Sequence, residues 1–378
     1  MLRFSFDTQI VGEFGDNLDD DFDLENSTII GLYTREGANA SLSFSARYTE
    51  IELDETVALL ADVGSTIIDQ GTLARFGLDA GVVFGRDGPF EVSLNAAYRD
   101  LNYQDTTDLT LSDEEQFSFD ALARLRLNSA ITLRGLAGYR DTDEEDLLET
   151  EREFSFFGLG LETETASGLQ IVGDVLFDHS ETTTNAPSEV TEEGLGGELA
   201  ITQLRPNGTI GFVLSSRIDE SGRRSLARVT RSLDTPTGGL SFSLGVVNQA
   251  DSDDLEFIGG LGYSRELPRG TLVANLTQEA SSRDGDAFLN TSISVDYSQI
   301  INSVSGWQAE LAYVSSEELG GADDDSRASA VLSYTRELTE DWNMRAGVEF
   351  IRDIQENAAN TNSNTVFFNI ERDITFGF

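Results

Sequence analysis

Four arginines in the first half of the chain have the spacing of side chains that share one face of a β-sheet. Arg124 and Arg126 close a segment of alternating residues, and Arg134 and Arg140 lie on the segment that follows. Residues two apart on a strand point to the same face, so these four side chains could form one positive patch. A planar guanidinium binds carboxylate or phosphate oxygens through two parallel hydrogen bonds. The patch is therefore a candidate site for an anionic group.

The same alternation assigns other charged residues to this polar face. Opposed charges on one wall would set a preference among ions and solutes through the local field. The simpler alternative is that the charges only solvate a wall that faces water, and the sequence leaves both interpretations open. Besides the four arginines, the candidates are Arg47, Arg99, Arg217, Arg345, Asp120, Asp174, Glu198, Glu310 and Glu349.

The usual chemistry of enzymes is weakly represented. The single histidine, His179, lies between Asp178 and Ser180, but adjacent strand residues point to opposite faces and cannot form a catalytic relay. The absence of cysteine excludes thiol nucleophiles and thiolate metal sites. The glycine-rich segments 194–197 and 257–262 lack the following helix that a phosphate-binding loop needs. We expect no enzymatic activity and no cofactor.

The elements that must position these residues are strands. Apolar and polar residues alternate from one end of the chain to the other, as in SLSFSARY (41–48) and QFSFDALARLRL (116–127). No apolar run reaches the roughly 18 residues of a membrane helix. A chain that crosses a membrane without such helices must do so as a closed barrel, because only helices and barrels satisfy every backbone group in lipid.

The connections alternate as well, between short turns and longer acidic loops. Nine short turns and ten longer loops make nineteen connections, and hence about twenty strands, with a range of about 18–22. Short periplasmic turns opposite longer extracellular loops are the pattern of an outer-membrane barrel. The sequence therefore predicts an all-β protein, a closed transmembrane antiparallel β-barrel in which residues 1–378 form a single domain.

Aromatic residues support two membrane interfaces, since spanning barrels carry aromatic girdles at both. One set falls at the strand ends beside the longer loops, and the other at the ends beside the short turns. The first set is Tyr48, Tyr98, Tyr139, Phe177, Tyr313 and Phe350, and the second is Tyr33, Tyr263, Tyr297, Trp307, Tyr334 and Trp342.

The stretch NTVFFNIERDITFGF at the end of the sequence resembles the closing strand of Gram-negative outer-membrane barrels, and the rest of the chain resembles barrels of porin type. In that closing strand, alternate apolar residues end in an aromatic that the barrel-assembly machinery recognises. The resemblance assigns this signal to Phe376 and Phe378. It implies location in the cell outer membrane and a channel for passive diffusion of small hydrophilic solutes or ions. The alternative is a structural, adhesive or export-associated barrel without an open pore.

The net charge of −43, from 68 acidic residues against 25 bases that are all Arg, makes nucleic acid an improbable partner. About half of the acids lie in the longer loops, in runs such as DTDEEDLLETE (141–151) and GGADDDS (320–326). Such runs could hold divalent cations loosely and bridge to the phosphates of lipopolysaccharide. The alternative is a solvated acidic surface.

Two further features bear on pore size and assembly. The loop at about 54–72 is apolar over much of its length, and we expect it to fold inward as a constriction or to contact a neighbouring barrel. Its candidate residues are Val57, Leu60, Val63 and Ile67. Small residues predicted to face lipid offer a contact for a homo-oligomer. They are Ala80, Ala96, Ala121, Ala123, Gly135 and Ala137.

Overall fold

A computed structural model describes most of the chain, and every regular element in it is a β-strand. Among the described residues no helix is long and apolar enough to span a membrane. The described residues are 2–13, 21–53, 71–86, 88–106, 112–185, 189–219, 221–249, 255–283, 286–319, 324–339, 342–355 and 360–372.

Twenty strands are described, which agrees with the predicted number. They are β1 (Leu2–Glu13), β2 (Asp21–Glu36), β3 (Ala40–Glu52), β4 (Thr72–Phe84), β5 (Phe90–Gln104), β6 (Glu114–Arg126), β7 (Ile131–Glu144), β8 (Thr150–Glu164), β9 (Leu169–Thr183) and β10 (Glu189–Arg205). The others are β11 (Gly208–Asp219), β12 (Gly222–Thr235), β13 (Gly238–Gln249), β14 (Glu256–Leu267), β15 (Gly270–Arg283), β16 (Asp286–Asn302), β17 (Ser305–Glu318), β18 (Asp324–Thr339), β19 (Trp342–Gln355) and β20 (Thr361–Arg372).

The strand lengths suit a bilayer. Each strand has 12 to 17 residues, which exceeds the roughly 9–11 that a tilted transmembrane strand requires. The connections between β11 and β12 and between β15 and β16 comprise only residues 220–221 and 284–285, because the flanking strands continue into polar segments of the sequence.

The chain divides by its internal contacts into two compact units. In the first unit, β1 to β9 pair antiparallel in chain order. In the second unit, β13 to β20 pair in the same way. The predicted antiparallel sheet is thus confirmed within each unit, and the closure of the barrel stays a prediction.

One face of the sheet in the first unit is apolar and exposed. Leu125, Leu133 and Leu161 lie side by side on β6, β7 and β8 and are 40 to 44% exposed. On β8 the exposed fractions of Phe157 and Leu159 reach 64% and 75%. Apolar surface costs about 25 cal/mol per Å² in water, and a soluble protein rarely exposes so large a patch. This apolar face therefore suits contact with lipid.

Aromatic residues form rows on the apolar face. In the first unit, Tyr48 is opposite Phe76 and Tyr98 is opposite Phe117, at the level of the longer loops. The rings of Phe76 and Tyr98, which are diagonal neighbours, have centroids 6.4 Å apart. In the second unit, Trp307 lies beside Tyr334 near the short turns, and its ring centroid is 5.0 Å from that of Tyr297. These rows have the positions that the two predicted girdles require.

Candidate functional site on the polar face

The opposite face of the first unit carries the charged residues. Arg47 on β3 is in register with Gly77 on β4, and Gly77 is in register with Arg99 on β5. On the next strands Arg124 is the direct neighbour of Arg134. The predicted candidates Arg126, Arg140, Asp120 and Asp174 share this face by strand alternation. The register therefore places the sequence-predicted residues of the first unit on one polar face.

Arg134 is held by an ion pair. Its Nη1 lies 2.8 Å from Oδ2 of Asp174, and both side chains are largely buried. Asp174 belongs to β9, and the residue opposite it on the intervening strand β8 is Gly160. Because glycine leaves the space above β8 free, the arginine of β7 can reach across to the carboxylate of β9.

A second buried ion pair of the first unit joins Asp178 and Arg217. The carboxylate of Asp178 is fully buried, and Arg217 donates to it from Nε at 3.0 Å and from Nη2 at 2.9 Å. The backbone N–H of Ile218 also donates to Asp178 Oδ2, at 3.2 Å. The guanidinium carbon of Arg217 lies 4.7 Å from the ring centroid of Phe156. The two contacts of the Arg217 guanidinium with Asp178, together with the contact with the Phe156 ring, fix the arginine in one orientation.

The positive patch predicted from Arg124, Arg126, Arg134 and Arg140 is only partly available to a ligand. Arg124 Nη1 lies 3.0 Å from Glu91 Oε1, and its Nε lies 3.9 Å from Glu162 Oε2. Arg134 is bound to Asp174 as well. Two of the four guanidinium groups are therefore neutralised by carboxylates on the same face of the sheet. The sequence prediction missed this because ion pairs across several strands depend on alignment, which alternation does not specify.

A different set of arginines is free. Arg47, Arg99, Arg126 and Arg140 are exposed on the polar face, and the ion pairs of the described residues on this face involve other arginines. Strands lie about 4.8 Å apart, so the Cα atoms of Arg47 and Arg99 are separated by roughly 10 Å. The residues among them, Gly77, Ala97 and Ser118, are small. We call Arg47, Arg99 and Arg140 the free arginine triad.

Acidic side chains border the triad. Asp79 lies two residues from Gly77 on β4 and accepts a hydrogen bond of 2.9 Å from Ser45 Oγ. Asp120 is exposed on β6, opposite Asn95 and Gly138. A ligand at the triad would therefore meet hydrogen-bond acceptors at its edges as well as three cations.

Glycines within strands make room for the ion pairs. A Cβ atom at Gly160 would collide with the carboxylate of Asp174 and with the backbone oxygen of Gly173. A Cβ atom at Gly196 on β10 would collide with Asp178, so Gly196 lies on the polar face. Glu198, two residues further along β10, shares this face. These glycines thus relieve crowding at the charged groups.

We expect Gly160→Ala to lower the free energy of unfolding by about 1–3 kcal/mol, because the Cβ displaces a carboxylate and meets backbone. The control is Gly135→Ala on the apolar face, where the nearest contact of a new Cβ is 3.9 Å from Ala123 Cβ. That change should stay within about 0.5 kcal/mol. Urea titration of the refolded protein in detergent gives both values, and equal effects of the two changes would contradict the packing account.

The polar face of the second unit carries one buried and one more exposed ion pair. Arg327 Nε lies 2.6 Å from Asp353 Oδ1, and the two side chains are 1% and 15% exposed. Arg345 Nη2 lies 3.4 Å from Glu310 Oε1, and both side chains are about one third exposed. The Arg345 guanidinium also lies 5.4 Å from the Phe367 ring centroid. Glu349 shares the face, since its neighbour Val331 on β18 is opposite Glu310. The predicted role of these residues in lining a lumen stays a prediction.

His179 has no part in a relay with its neighbours. Its Nε2 and Nδ1 atoms lie 3.6 and 3.8 Å from carboxylate oxygens of Glu181 and Glu193, whereas Asp178 bonds to Arg217 on the other face.

Acidic side chains meet at the ends of β7 and β8, where oxygens of Asp141, Glu151 and Glu153 lie within 4.8 Å of one another. Loose binding of divalent cations by the acidic runs stays a prediction.

Several predicted residues lie outside the described part of the chain. They are the constriction candidates Val57, Leu60, Val63 and Ile67 and the assembly-signal residues Phe376 and Phe378. The small residues proposed for an oligomer contact are described, and Ala80 with Ala96, Ala121 with Ala137 and Ala123 with Gly135 are direct cross-strand neighbours.

Several solved structures of outer-membrane proteins are similar to this chain in fold. The iron transporter FrpB of Neisseria meningitidis aligns with a TM-score of 0.65 at 9% identity, over 98% of this chain and 77% of that one. The siderophore receptor PirA of Acinetobacter baumannii aligns with a TM-score of 0.57 at 9% identity, over 97% and 72%. A ferric enterobactin receptor mutant (PfeA) of Pseudomonas aeruginosa aligns with a TM-score of 0.53 at 8% identity, over 98% and 80%. No protein-family model and no curated protein sequence matches the chain.

The fold is that of an outer-membrane β-barrel, which confirms the predicted location in the outer membrane. The narrower resemblance to porins is not supported, because the neighbours are siderophore receptors and iron transporters. For the same reason the prediction of a passive diffusion channel is wrong. Alternating strands and unequal connections are required of every barrel in a bilayer, so they do not distinguish an open channel from a receptor.

Proposed function

We propose that this protein is an outer-membrane receptor that takes up an anionic iron chelate as a bound cargo. The observation that carries the proposal is the free arginine triad on the polar face of a fold otherwise found in siderophore receptors and iron transporters. Arg124, Arg134 and Arg217 on this face already have carboxylate partners. Arg126 has no ion pair among the described residues, but it lies eight residues along β6 from Ser118, the neighbour of Arg140. Arg47, Arg99 and Arg140 are the unpaired arginines that lie together.

The spacing of the triad suits a ligand with several anionic oxygens. Arg47 and Arg99 face each other across Gly77, and Arg140 lies two strands beyond Arg99, at roughly 10 Å across the sheet and 7 Å along it. A single phosphate is too small to contact all three arginines. Iron(III) prefers hard oxygen ligands, so a chelate that carries it presents anionic oxygens on several sides. Each of them can accept charge-assisted hydrogen bonds from a guanidinium.

The large negative charge of the chain does not prevent this binding. Many of the acids lie in the longer connections, and at physiological ionic strength the Debye length is about 8 Å. Charges beyond that distance are largely screened, whereas the triad acts on its ligand by direct contact. The acidic loops are expected to slow association more than they weaken the bound state.

Uptake kinetics test this proposal. Cells that lack other ferric-chelate receptors and express this protein are supplied with a radioactive iron(III) tris-catecholate, which carries negative charge, over a wide range of concentrations. A receptor gives an uptake rate that saturates at low concentration, and a neutral iron(III) trihydroxamate competes poorly. Uptake that rises linearly and is equal for both chelates would contradict a binding step.

A further inference from the structure

A recess lies on the apolar face of the second unit, over strands β17 to β20. Trp307, Tyr334, Ala346 and Phe368 follow one another across these four strands in one row. Ala346 is the only small residue of the row, so the surface is lower between the rings of Tyr334 and Phe368. The cavity at this level measures about 770 Å³, and Val348 and Val366 also line it.

The recess continues toward the middle of the sheet. A second cavity, of about 600 Å³, shares Leu332, Val348 and Val366 with the first. Its other lining residues on the apolar face include Ala309 and Ala330, which are small, with Leu311 and Phe350 at its far end. From Trp307 to Leu311 the strand rises about 13 Å at about 3.3 Å per residue. This length is close to half of the roughly 30 Å hydrocarbon core of a bilayer.

A polar cavity of about 420 Å³ adjoins the recess at the short-turn end. It is lined by residues of the turn between β16 and β17 and by Arg336 on the apolar face, and also by Glu337, Asn343 and Arg345, which strand alternation assigns to the polar face. Arg336 lies two residues beyond Tyr334 on the same face, is exposed, and makes no ion pair among the described residues. A cation just beyond an aromatic girdle is at the depth of lipid headgroups.

We propose that this surface binds one glycerophospholipid of the periplasmic leaflet. The recess holds an acyl chain along β17 to β20, and Arg336 binds the phosphate. The length of the recess, which matches one leaflet, and the cation at its outer end both favour a phospholipid over a second copy of the chain.

Native mass spectrometry of the full chain tests the proposal. The protein is purified in detergent, incubated with phosphatidylethanolamine and then delipidated in steps. We expect one lipid to be retained by the wild type after the others are lost. Arg336→Gln should reduce the retained fraction roughly three- to tenfold, because a charge-assisted bond to phosphate is lost at a partly exposed site. Ala309→Leu with Ala346→Leu, which fills the recess, should abolish retention.

Matched variants control for charge and for added bulk. Arg265→Gln removes an exposed arginine two residues beyond Tyr263 on β14, and Ala121→Leu adds bulk to the apolar face of β6. Both should retain the lipid as the wild type does, and the shift of the folded band on unheated gels verifies that every variant is folded. The proposal is overturned if the wild type retains no phospholipid. An equal loss of retained lipid in Arg336→Gln and Arg265→Gln would overturn it as well. So would a bound mass equal to that of lipopolysaccharide or of a second chain.

Discussion

Replacing Arg47, Arg99 and Arg140 together with glutamine is expected to weaken binding of an anionic ferric chelate about 100-fold. Each arginine contributes a charge-assisted hydrogen bond worth about 1 kcal/mol at a site open to water, and about 3 kcal/mol corresponds to two decades in Kd. None of the three side chains has an ion-pair partner among the described residues, so their replacement leaves no carboxylate unpaired. Stability should therefore change little, and equilibrium retention of the radioactive chelate by purified protein gives the two affinities.

The control must remove the same charge elsewhere. Arg205, Arg265 and Arg269 are exposed at or beside the short turns, and replacing them with glutamine makes an equal change in net charge. Binding should then change by less than about twofold, because screening removes most of the distant interaction. If both triple variants lose affinity equally, the arginines act only through net charge and the triad is not a site.

Replacing Asp178 with alanine is expected to produce a large loss of stability. The carboxylate is fully buried and accepts bonds from Arg217 and from a backbone N–H. Breaking a buried pair from one side costs about 3–5 kcal/mol. Arg217 is 27% exposed, so water recovers part of its solvation and the expected loss is about 2–4 kcal/mol.

Urea titration followed by the gel shift of the folded barrel measures this loss. Glu310→Gln is the matched control, because the pair of Glu310 with Arg345 is about one third exposed on both sides and should contribute less than about 1 kcal/mol. Adding Arg217→Gln to Asp178→Ala should restore part of the stability, since the unpaired charge is then removed. Equal effects of Asp178→Ala and Glu310→Gln would contradict the buried pair.

Strand alternation predicts the face of a residue but not its neighbours across the sheet. The face of Arg47, Arg99 and Arg134 follows from counting by two along each strand, and the structure agrees. The row that joins Arg47, Gly77 and Arg99 depends on register. Register depends in turn on connection lengths and on irregularities such as the one between Ile300 and Asn302. Such details have no clear signal in a single sequence.

Some of the missed residues did have a signal. Asp178 lies two alternations from Asp174, which the sequence assigns to the polar face, so the same count places it there. In the sequence it stands out only as a neighbour of His179, and its partner Arg217 is 39 positions away. Phe156 was missed because an aromatic residue on the polar face contradicts simple alternation, although a guanidinium stacked on its ring explains its position.

The alternation of apolar and polar residues along the strands does not distinguish a channel from a receptor. Lipid imposes the apolar face, the girdles and the closed backbone bonding on every barrel. Leu125, Leu133 and Leu161 would face lipid equally well in either class. In the proposed receptor the polar face binds its solute, whereas in a channel the solute diffuses past it. On our proposal, binding depends on the arginines that have no carboxylate partner.

The most direct test of the central claim is an equilibrium binding isotherm of wild-type protein with radioactive iron(III) tris-catecholate in detergent. The account predicts one saturable site per chain with a Kd in the micromolar range or below. Affinity should fall as salt is raised, because the contacts are between opposite charges, and a neutral trihydroxamate should bind at least about tenfold more weakly. Absence of saturable binding, or equal affinity for both chelates at every salt concentration, would contradict it.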